Sequence, residues 1–240
     1  MAGRTDEVWT SPSLVAVYLE GVRGAIPLAQ EQIDIMLRLI TACGEPIRSF
    51  LDLGCGDGVL SAAILQCYPQ AEGVLVDFSV PMLDAARNRF ACQNVSVRFV
   101  NLDYGLASWT RSVDASAPFD AIVSGYSIHH QPDTRKREIY AEVFQLLRPG
   151  GIFINVEHVL STSNWVASVN DDLFIDRLHR RHQDKSRTEV AETYYRRPDK
   201  MANILAPVDL QCQWLREIGF ADVDCYLKVF ELAVFGGRRP

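Results

Sequence analysis

Short apolar runs of strand length alternate along this chain with longer stretches in which apolar positions recur every three or four residues. "RSFLDLG" is the first run and ends at Gly54. "GVLSAAILQCYP" has the helical period and stops before Pro69. "EGVLVDFS" is a second buried strand, and "SVPMLDAARNRFACQ" a helix with Ser79 as N-cap and Pro81 in its first turn. "VSVRFVNLD", "FDAIVSGYS" and "GIFINVEHV" complete a set of five buried strands. The amphipathic "RKREIYAEVFQLLRPGG" precedes the last of them and closes at Pro-Gly-Gly. Buried strands joined by helical crossovers predict an α/β fold built on a parallel, doubly wound sheet.

The tail differs. "VDLQCQWLREIGF" is a helix with Asp209 as cap and Gly219 as stop. "DVDCYLKVF" and "ELAVFGGRR" follow almost without a connection, which suits only an antiparallel hairpin. Residues 8–46 and 159–207 are mostly helical, stand outside the strand pattern and predict a cover over one end of the sheet. The expectation is one domain, 1–240.

Composition narrows the class. At 240 residues, 48% hydrophobic and 22% charged, the chain is globular rather than disordered. Its net charge of −6 argues against a general nucleic-acid binder. No apolar run has the length of a membrane span, and "MAGRTDEVWTSPS" lacks the order of a signal peptide. The six cysteines, Cys43, Cys55, Cys67, Cys92, Cys212 and Cys225, form no CxxC. They read as reduced and mostly buried in a cytoplasmic protein.

The chemistry concentrates in "FLDLGCGDGVL". A glycine turn between the first strand and its helix lets backbone approach a ligand, at the carboxyl edge where such sheets bind ligands. Gly54, Gly56 and Gly58 alternate, and Val59 stands where a dinucleotide fingerprint has its last glycine. Asp52 precedes the trio, and Asp77 ends the second strand, placed to accept ribose hydroxyls. A dinucleotide and the nucleoside cofactor S-adenosylmethionine (SAM) both satisfy this pattern.

On "LDLGCGDG", Asp77, "NLDYG" and "LLRPGG", the chain resembles the class I SAM-dependent methyltransferases from about residue 48 onward. The resemblance implies a Rossmann-like, seven-stranded, mostly parallel sheet of order 3-2-1-4-5-7-6, and SAM as cofactor with S-adenosylhomocysteine as product. It places Gly54, Cys55 and Gly56 at the cofactor's amino-acid end, Phe78 and Met82 on the adenine, and Asp103 on its amino group. Tyr104 or Leu102 would line the ring. The loop "SGYSIHHQPD" would face the sulfonium, with Ser124, Gly125 and Tyr126 lining the methionine part and His129 the candidate base.

The cover would carry the acceptor site. "ETYYRRPDKM" offers Tyr194, Tyr195, Arg196 and Arg197, and arginine holds carboxylate or phosphate by paired bonds. Ion pairs of those arginines with Glu189 and Glu192 are the competing expectation. Trp165 and the N-terminal "VYLEGVRGAIP" are pocket candidates by position. Asp176, His179 and His182 share a helix face without a fourth ligand in register, so no metal is expected. Carboxy-SAM synthases have a similar layout: "VRGAIP" and Arg196 or Arg197 stand in comparable places, although Leu28 and Ala29 replace an expected tyrosine. The expected partner is a small-molecule substrate, without nucleic acid or membrane; a homodimer stays open. The alternatives are a carboxy-SAM synthase, a SAM-binding protein without turnover and a nicotinamide dehydrogenase.

Overall fold

The computed structural model describes residues 5–182 and 184–240. The first four residues of the stretch tested for a signal peptide, and Gln183 of the cover, lie outside the described residues. The strands are β1 (Ser49–Leu53), β2 (Glu72–Asp77), β3 (Ser96–Asn101), β4 (Phe119–Gly125), β5 (Leu147–His158), β6 (Ala221–Val229) and β7 (Leu232–Arg238). They form one seven-stranded sheet in the order β3-β2-β1-β4-β5-β7-β6. The pairings from β3 through β5 are parallel; β7 runs antiparallel to both β5 and β6.

The helices are α1 (Pro12–Val17), α2 (Ala29–Ala42), α3 (Val59–Cys67), α4 (Val80–Phe90), α5 (Asp133–Leu146), α6 (Asn164–Arg181), α7 (Arg187–Tyr195), α8 (Pro198–Met201) and α9 (Val208–Ile218). A 3-10 turn, Asp6–Thr10, precedes α1, and a π-helical turn, Tyr18–Val22, continues it. Local chemistry sets the ends. The Ser79 hydroxyl accepts from the Met82 amide at 3.3 Å and opens α4. Ser186 and Glu189 form a reciprocal capping box on α7. Gly219, at φ +114°, closes α9. Asp209 sits inside the first turn of α9, and Pro207 takes the cap position given to Asp209 from the sequence.

Alternation along the strands sends side chains into two cores, one on each face. Leu51 and Leu53 join Trp109, Tyr140, Phe153 and Trp214 under α5 and α9. Phe50, Leu75 and Val123 join Met36, Ile40 and Ile64 under α2 and α3. Thus α2 packs on the sheet, touching α3, β5, β6 and β7. The cover proper is the segment before α2 together with α6 to α8, narrower than the span 8–46 expected from the sequence. Its parts are tied together: Arg177 Nε of α6 donates to Ala25 O at 2.8 Å, and Thr5 Oγ1 to Ala202 O at 3.1 Å.

Three other expectations are corrected. β3 is an edge strand without a buried residue, because only β2 flanks it. β5 starts at Leu147, so Pro149 and Gly150 lie within the strand instead of closing the helix. Only Cys55 and Cys212 are buried; Cys43 and Cys225 are half-buried, and Cys67 and Cys92 are exposed. Among the described residues no helix is long and apolar enough to cross a membrane.

Parallel register brings the carboxyl ends of the central strands together. Leu53 pairs with Val76, and Gly125 with Val156. Gly54, Asp77, Tyr126 and Glu157 therefore meet at one edge, under the cover. On the far side, β7 reaches β5 closely: a Cβ added at Gly236 would stand 2.0 Å from the Phe153 carbonyl oxygen. Gly236→Ala is expected to push β7 off β5 and to cost about 3 kcal/mol in urea unfolding. Gly44→Ala, where a Cβ meets nothing within 4 Å, is expected to cost less through its positive φ alone.

Candidate active site

The glycine turn between β1 and α3 is built by backbone. The amides of Gly54 and Cys55 both donate to Val76 O, at 2.8 and 2.9 Å. Gly54, Gly56 and Gly58 have φ of +71°, +53° and +76°, conformations in which a side chain is strained. At Gly54 a Cβ would also stand 1.8 Å from Ser127 Oγ, whereas at Gly56 it would meet only Met82 Sδ, at 3.9 Å. Gly56 thus leaves open a space that runs along the turn. Asp77 brackets it: Oδ2 accepts from the Gly56 amide at 2.9 Å and Oδ1 from the Ser79 amide at 2.8 Å.

That space is a cavity of about 440 Å³. Asp52, Gly54, Cys55, Gly56, Asp77, Phe78 and Met82 form its floor, Tyr126 its inner wall, and Trp9, Tyr18 and Arg23 its roof. Arg23 and Arg89 both ion-pair with Asp57, so two cations converge on one carboxylate beside the glycine turn. Asp52 Oδ2 accepts from Ser61 Oγ at 2.6 Å, while its buried Oδ1 has no hydrogen-bond partner. Burial, only partly offset by the Ser61 hydrogen bonds and assisted by Asp77 and Asp57, pushes the Asp52 carboxyl up to about 7.

A second cavity, of about 100 Å³, adjoins the first and shares Trp9, Tyr18, Ile26, Tyr126 and His130 with it. Its other walls include His129, His158, Phe174, Tyr194, Arg197 and Lys200. His129 Nδ1 lies 2.6 Å from Oε1 of fully buried Glu157, whose Oε2 accepts from the His129 amide at 3.0 Å. With Nδ1 spent on the carboxylate, Nε2 is the ring nitrogen left for a ligand; it makes no hydrogen bond among the described residues. His130 Nε2 accepts from the Trp9 indole at 3.1 Å, and its Nδ1 lies 3.3 Å from Ala202 O. His158 Nε2 lies 2.9 Å from Glu231 Oε2. Burial raises the Glu231 carboxyl, but hydrogen bonds from His158 and Ser161 outweigh it and hold the group below its ordinary value.

Residues 50–151 match the family model described as a methyltransferase domain. An uncharacterized methyltransferase of Mycobacterium bovis is 33% identical over 143 residues, which make up 56% of this chain and 64% of that protein. The chain therefore spans less than two thirds of that relative's length. The carboxy-S-adenosyl-L-methionine synthase of Campylobacter lari is 22% identical over 241 residues, covering 96% of this chain and 97% of that one. The solved structure of PigF with SAH aligns at a TM-score of 0.62 and 17% identity, covering 99% of this chain and 63% of that one. Residues 50–151 are thus similar to a methyltransferase domain, and the whole chain shares the fold of the SAH-bound structure.

The larger cavity fits SAM, whose product SAH is bound in that solved structure. Gly56 opens the floor, the Asp77 carboxylate is oriented by two backbone donors, and Asp52 Oδ1 is a buried acceptor awaiting a donor such as an ammonium group. Not every residue expected at the cofactor lines the cavity. Ser124 is buried and donates to Leu53 O at 2.7 Å, because its position in β4 points into the sheet. Tyr104 is buried in the core under α5, with its hydroxyl 2.5 Å from Ser127 Oγ. Asp103 Oδ1 accepts from the Gly105 amide at 2.7 Å, folding the carboxylate over its own turn.

On the acceptor side the phase of α7 decides. Tyr194 lines the second cavity, whereas Tyr195 and Arg196 are exposed and line neither. Arg197 lines it, paired with Asp199 instead of Glu189 or Glu192. Trp165 is 75% exposed at the start of α6 and lines neither cavity. Asp176 is held by Arg187 at 2.6 Å, away from His179 and His182. The N-terminal "VYLEGVRGAIP" reaches both cavities through Tyr18 and Ile26, whereas sequence reasoning missed Glu157, Asp57, Trp9, His158 and Lys200. Glu157 had a signal, a lone carboxylate inside the apolar run "IFINVEHV".

Asp52 makes stability depend on pH. Its folded pKa of about 7 stands above the ordinary 3.8, so between these values the unfolded chain has released a proton that the folded one still binds. The contribution is fully present below about pH 4 and is lost as pH rises through about 7, by about 4 kcal/mol in all. In denaturant melts from pH 4 to 8, Asp52→Asn is expected to gain on the wild type steadily as pH rises. Parallel stability curves for the two would show that Asp52 ionises freely in the folded chain.

Proposed function

We propose that the protein transfers a methyl group from SAM to a hydroxyl oxygen of a small molecule seated in the second cavity. The observation that carries this reading is the His129–Glu157 pair on the wall of a cavity that adjoins the cofactor cavity. When bound, SAM supplies an activated methyl group that passes in line to a nucleophile and leaves S-adenosylhomocysteine. An oxygen nucleophile must also lose a proton. His129 Nε2 is the acceptor for it, and the Glu157 carboxylate at Nδ1 orients the ring and stabilises the imidazolium that forms.

The other residues position and exclude water. Asp77 would hold the ribose, and the backbone at Gly54 to Gly56 the methionine end. Arg23, already beside the glycine turn, is the cation facing a carboxylate there. Tyr126 borders both cavities, with its hydroxyl donating to Gln32 Oε1 at 2.5 Å. Burial raises the Tyr18 hydroxyl to about 12, so it stays protonated on the shared roof. Trp9, Tyr18 and Ile26 line both cavities, and the small volume of the second, about 100 Å³, suits a small acceptor over a polymer.

One observation favours a second reading. The match to carboxy-SAM synthase runs the length of both chains. That activity calls for a cation at an added carboxylate next to the sulfonium. Arg196 is exposed and Arg197 lines the second cavity and not the glycine-turn cavity, so neither stands where a carboxylated sulfonium would need it, and the charge placement supports methyl transfer instead.

Mass spectrometry of small molecules released from the purified protein is expected to give SAM or S-adenosylhomocysteine; a carboxylated SAM would replace the first reading by the second. Asp77→Ala is expected to weaken S-adenosylhomocysteine binding at least tenfold in calorimetry. His129→Ala is expected to keep that binding and to lower kcat/KM on an accepted substrate about a hundredfold or more. Unchanged turnover in His129→Ala would remove the general base from the reading.

A further inference from the structure

Four acid–base pairs surround the second cavity, and in three of them only the basic member lines the space. His129 lines it while Glu157 sits behind; His158 lines it while Glu231 sits behind; Lys200 lines it while Asp171 sits behind. Arg197 and its partner Asp199 both reach the wall. Exposure follows the same order. The Lys200 side chain is 30% exposed against 17% for Asp171, and His158 23% against 10% for Glu231. A cavity for an ammonium acceptor would show the opposite order, carboxylates in front and bases behind.

The backing acids also fix the bases in place. The Lys200 ammonium donates to Asp171 Oδ1 at 2.6 Å and lies 4.0 Å from the centroid of Tyr194, whose hydroxyl donates to the same carboxylate oxygen. An ammonium has three donors, and a single oxygen of Asp171 takes one. The short segment that carries Lys200 is seated on the histidine loop: the Ile204 amide donates to His129 O at 2.9 Å, and Asn203 Nδ2 lies 3.3 Å from His158 Nδ1. Lys200 and His129 therefore belong to one wall system and face one ligand.

Resting on the methyl-transfer reading above, we propose that the acceptor is a small carboxylic acid: Lys200, with Arg197 beside it, binds its carboxylate, while its hydroxyl is presented to His129. Each cation already shares a carboxylate, so the positive potential of the cavity is modest and suits a monoanion better than a phosphate dianion. Trp9, Tyr18, Phe174 and Tyr194 supply the apolar surface for the carbon skeleton between the two ends. Lys200 thus acts as a specificity residue for this chain's reaction.

The test titrates the full-length protein, saturated with S-adenosylhomocysteine, against hydroxy acids from lactate to 4-hydroxyphenylacetate, each paired with its carboxamide. At least one acid is expected to bind tenfold or more tighter than its amide. Lys200→Met is expected to abolish that preference while leaving S-adenosylhomocysteine affinity within twofold, and Arg187→Ala, an exposed paired cation on the same cover, to leave the preference intact. Amides that bind as well as their acids, or a panel in which neither binds, would overturn the acid acceptor while bound S-adenosylhomocysteine kept the family reading in force. Failure of S-adenosylhomocysteine itself to bind would instead strike the methyl-transfer reading.

Discussion

Glu157 carries a carboxylate with no access to water at the carboxyl end of β5, and much of the acceptor half of the molecule follows from satisfying it. A buried ion of this kind persists only when hydrogen bonds replace its hydration. Oε2 takes the His129 amide at 3.0 Å, with Asn155 Nδ2 at 3.4 Å, and Oε1 takes the His158 amide at 2.8 Å and the His129 ring at 2.6 Å. The loop after β4 is thereby pulled against β5, and the histidine pair is set in one orientation. Through Ile204 on His129 O, the same carboxylate indirectly seats the segment that bears Lys200. Removing the charge alone would loosen the loop, the base and the acceptor wall together.

The roof imposes a different constraint. Trp9 donates its indole N–H to His130, accepts from Ser79 Oγ through its carbonyl at 2.6 Å and packs edge-on to Tyr18 at 5.0 Å. Arg23 is latched on Asp57. Buried Val15, Val22, Ala25 and Ile26 and the bond from Arg177 Nε to Ala25 O at 2.8 Å add to these contacts, a smaller packed set than the two cores against the sheet. A segment held this way opens at lower free energy than the strands it covers. The π-helical turn Tyr18–Val22 lies in the middle of it, a departure from regular helix of the kind found where function needs a joint. Cofactor exchange requires such an opening, because Trp9, Tyr18 and Arg23 stand over the larger cavity.

What was legible in the sequence was set by backbone. The order of strands, the glycine turn and the place of Asp77 follow from periodicity and from residues that only certain backbone conformations admit. The orientation of individual side chains was not legible. Ser124 and Tyr126 are two apart yet part company: Ser124 is still inside β4, where its hydroxyl finds Leu53 O, whereas Tyr126 has left the strand at φ +51° and turned into the site. A left-handed non-glycine residue is invisible to pattern reasoning, since the strain is tolerated only because Gln32 and the cavity wall hold the ring. In α7 the neighbours Tyr194 and Tyr195, both candidates from the sequence, are about 100° of helix apart, so one lines the second cavity and the other faces solvent.

The electrostatics of the two cavities fit together without being fitted separately. In the proposed reaction, SAM would bring a permanent cation, its sulfonium, into the larger cavity. A second cation in the adjoining cavity would repel it, and an uncompensated anion would be costly to desolvate when no ligand is bound. Basic side chains held in front of buried acids resolve both difficulties. Alone, the Lys200–Asp171 and Arg197–Asp199 pairs are close to neutral, so the cavity tolerates their burial. With an acid present, the bases already point at it, and little reorganisation is needed as charge is brought in. The same economy explains His129. In the proposed reaction, Glu157 at Nδ1 would stay fixed behind it, so the proton that His129 took up would form an ion pair in place.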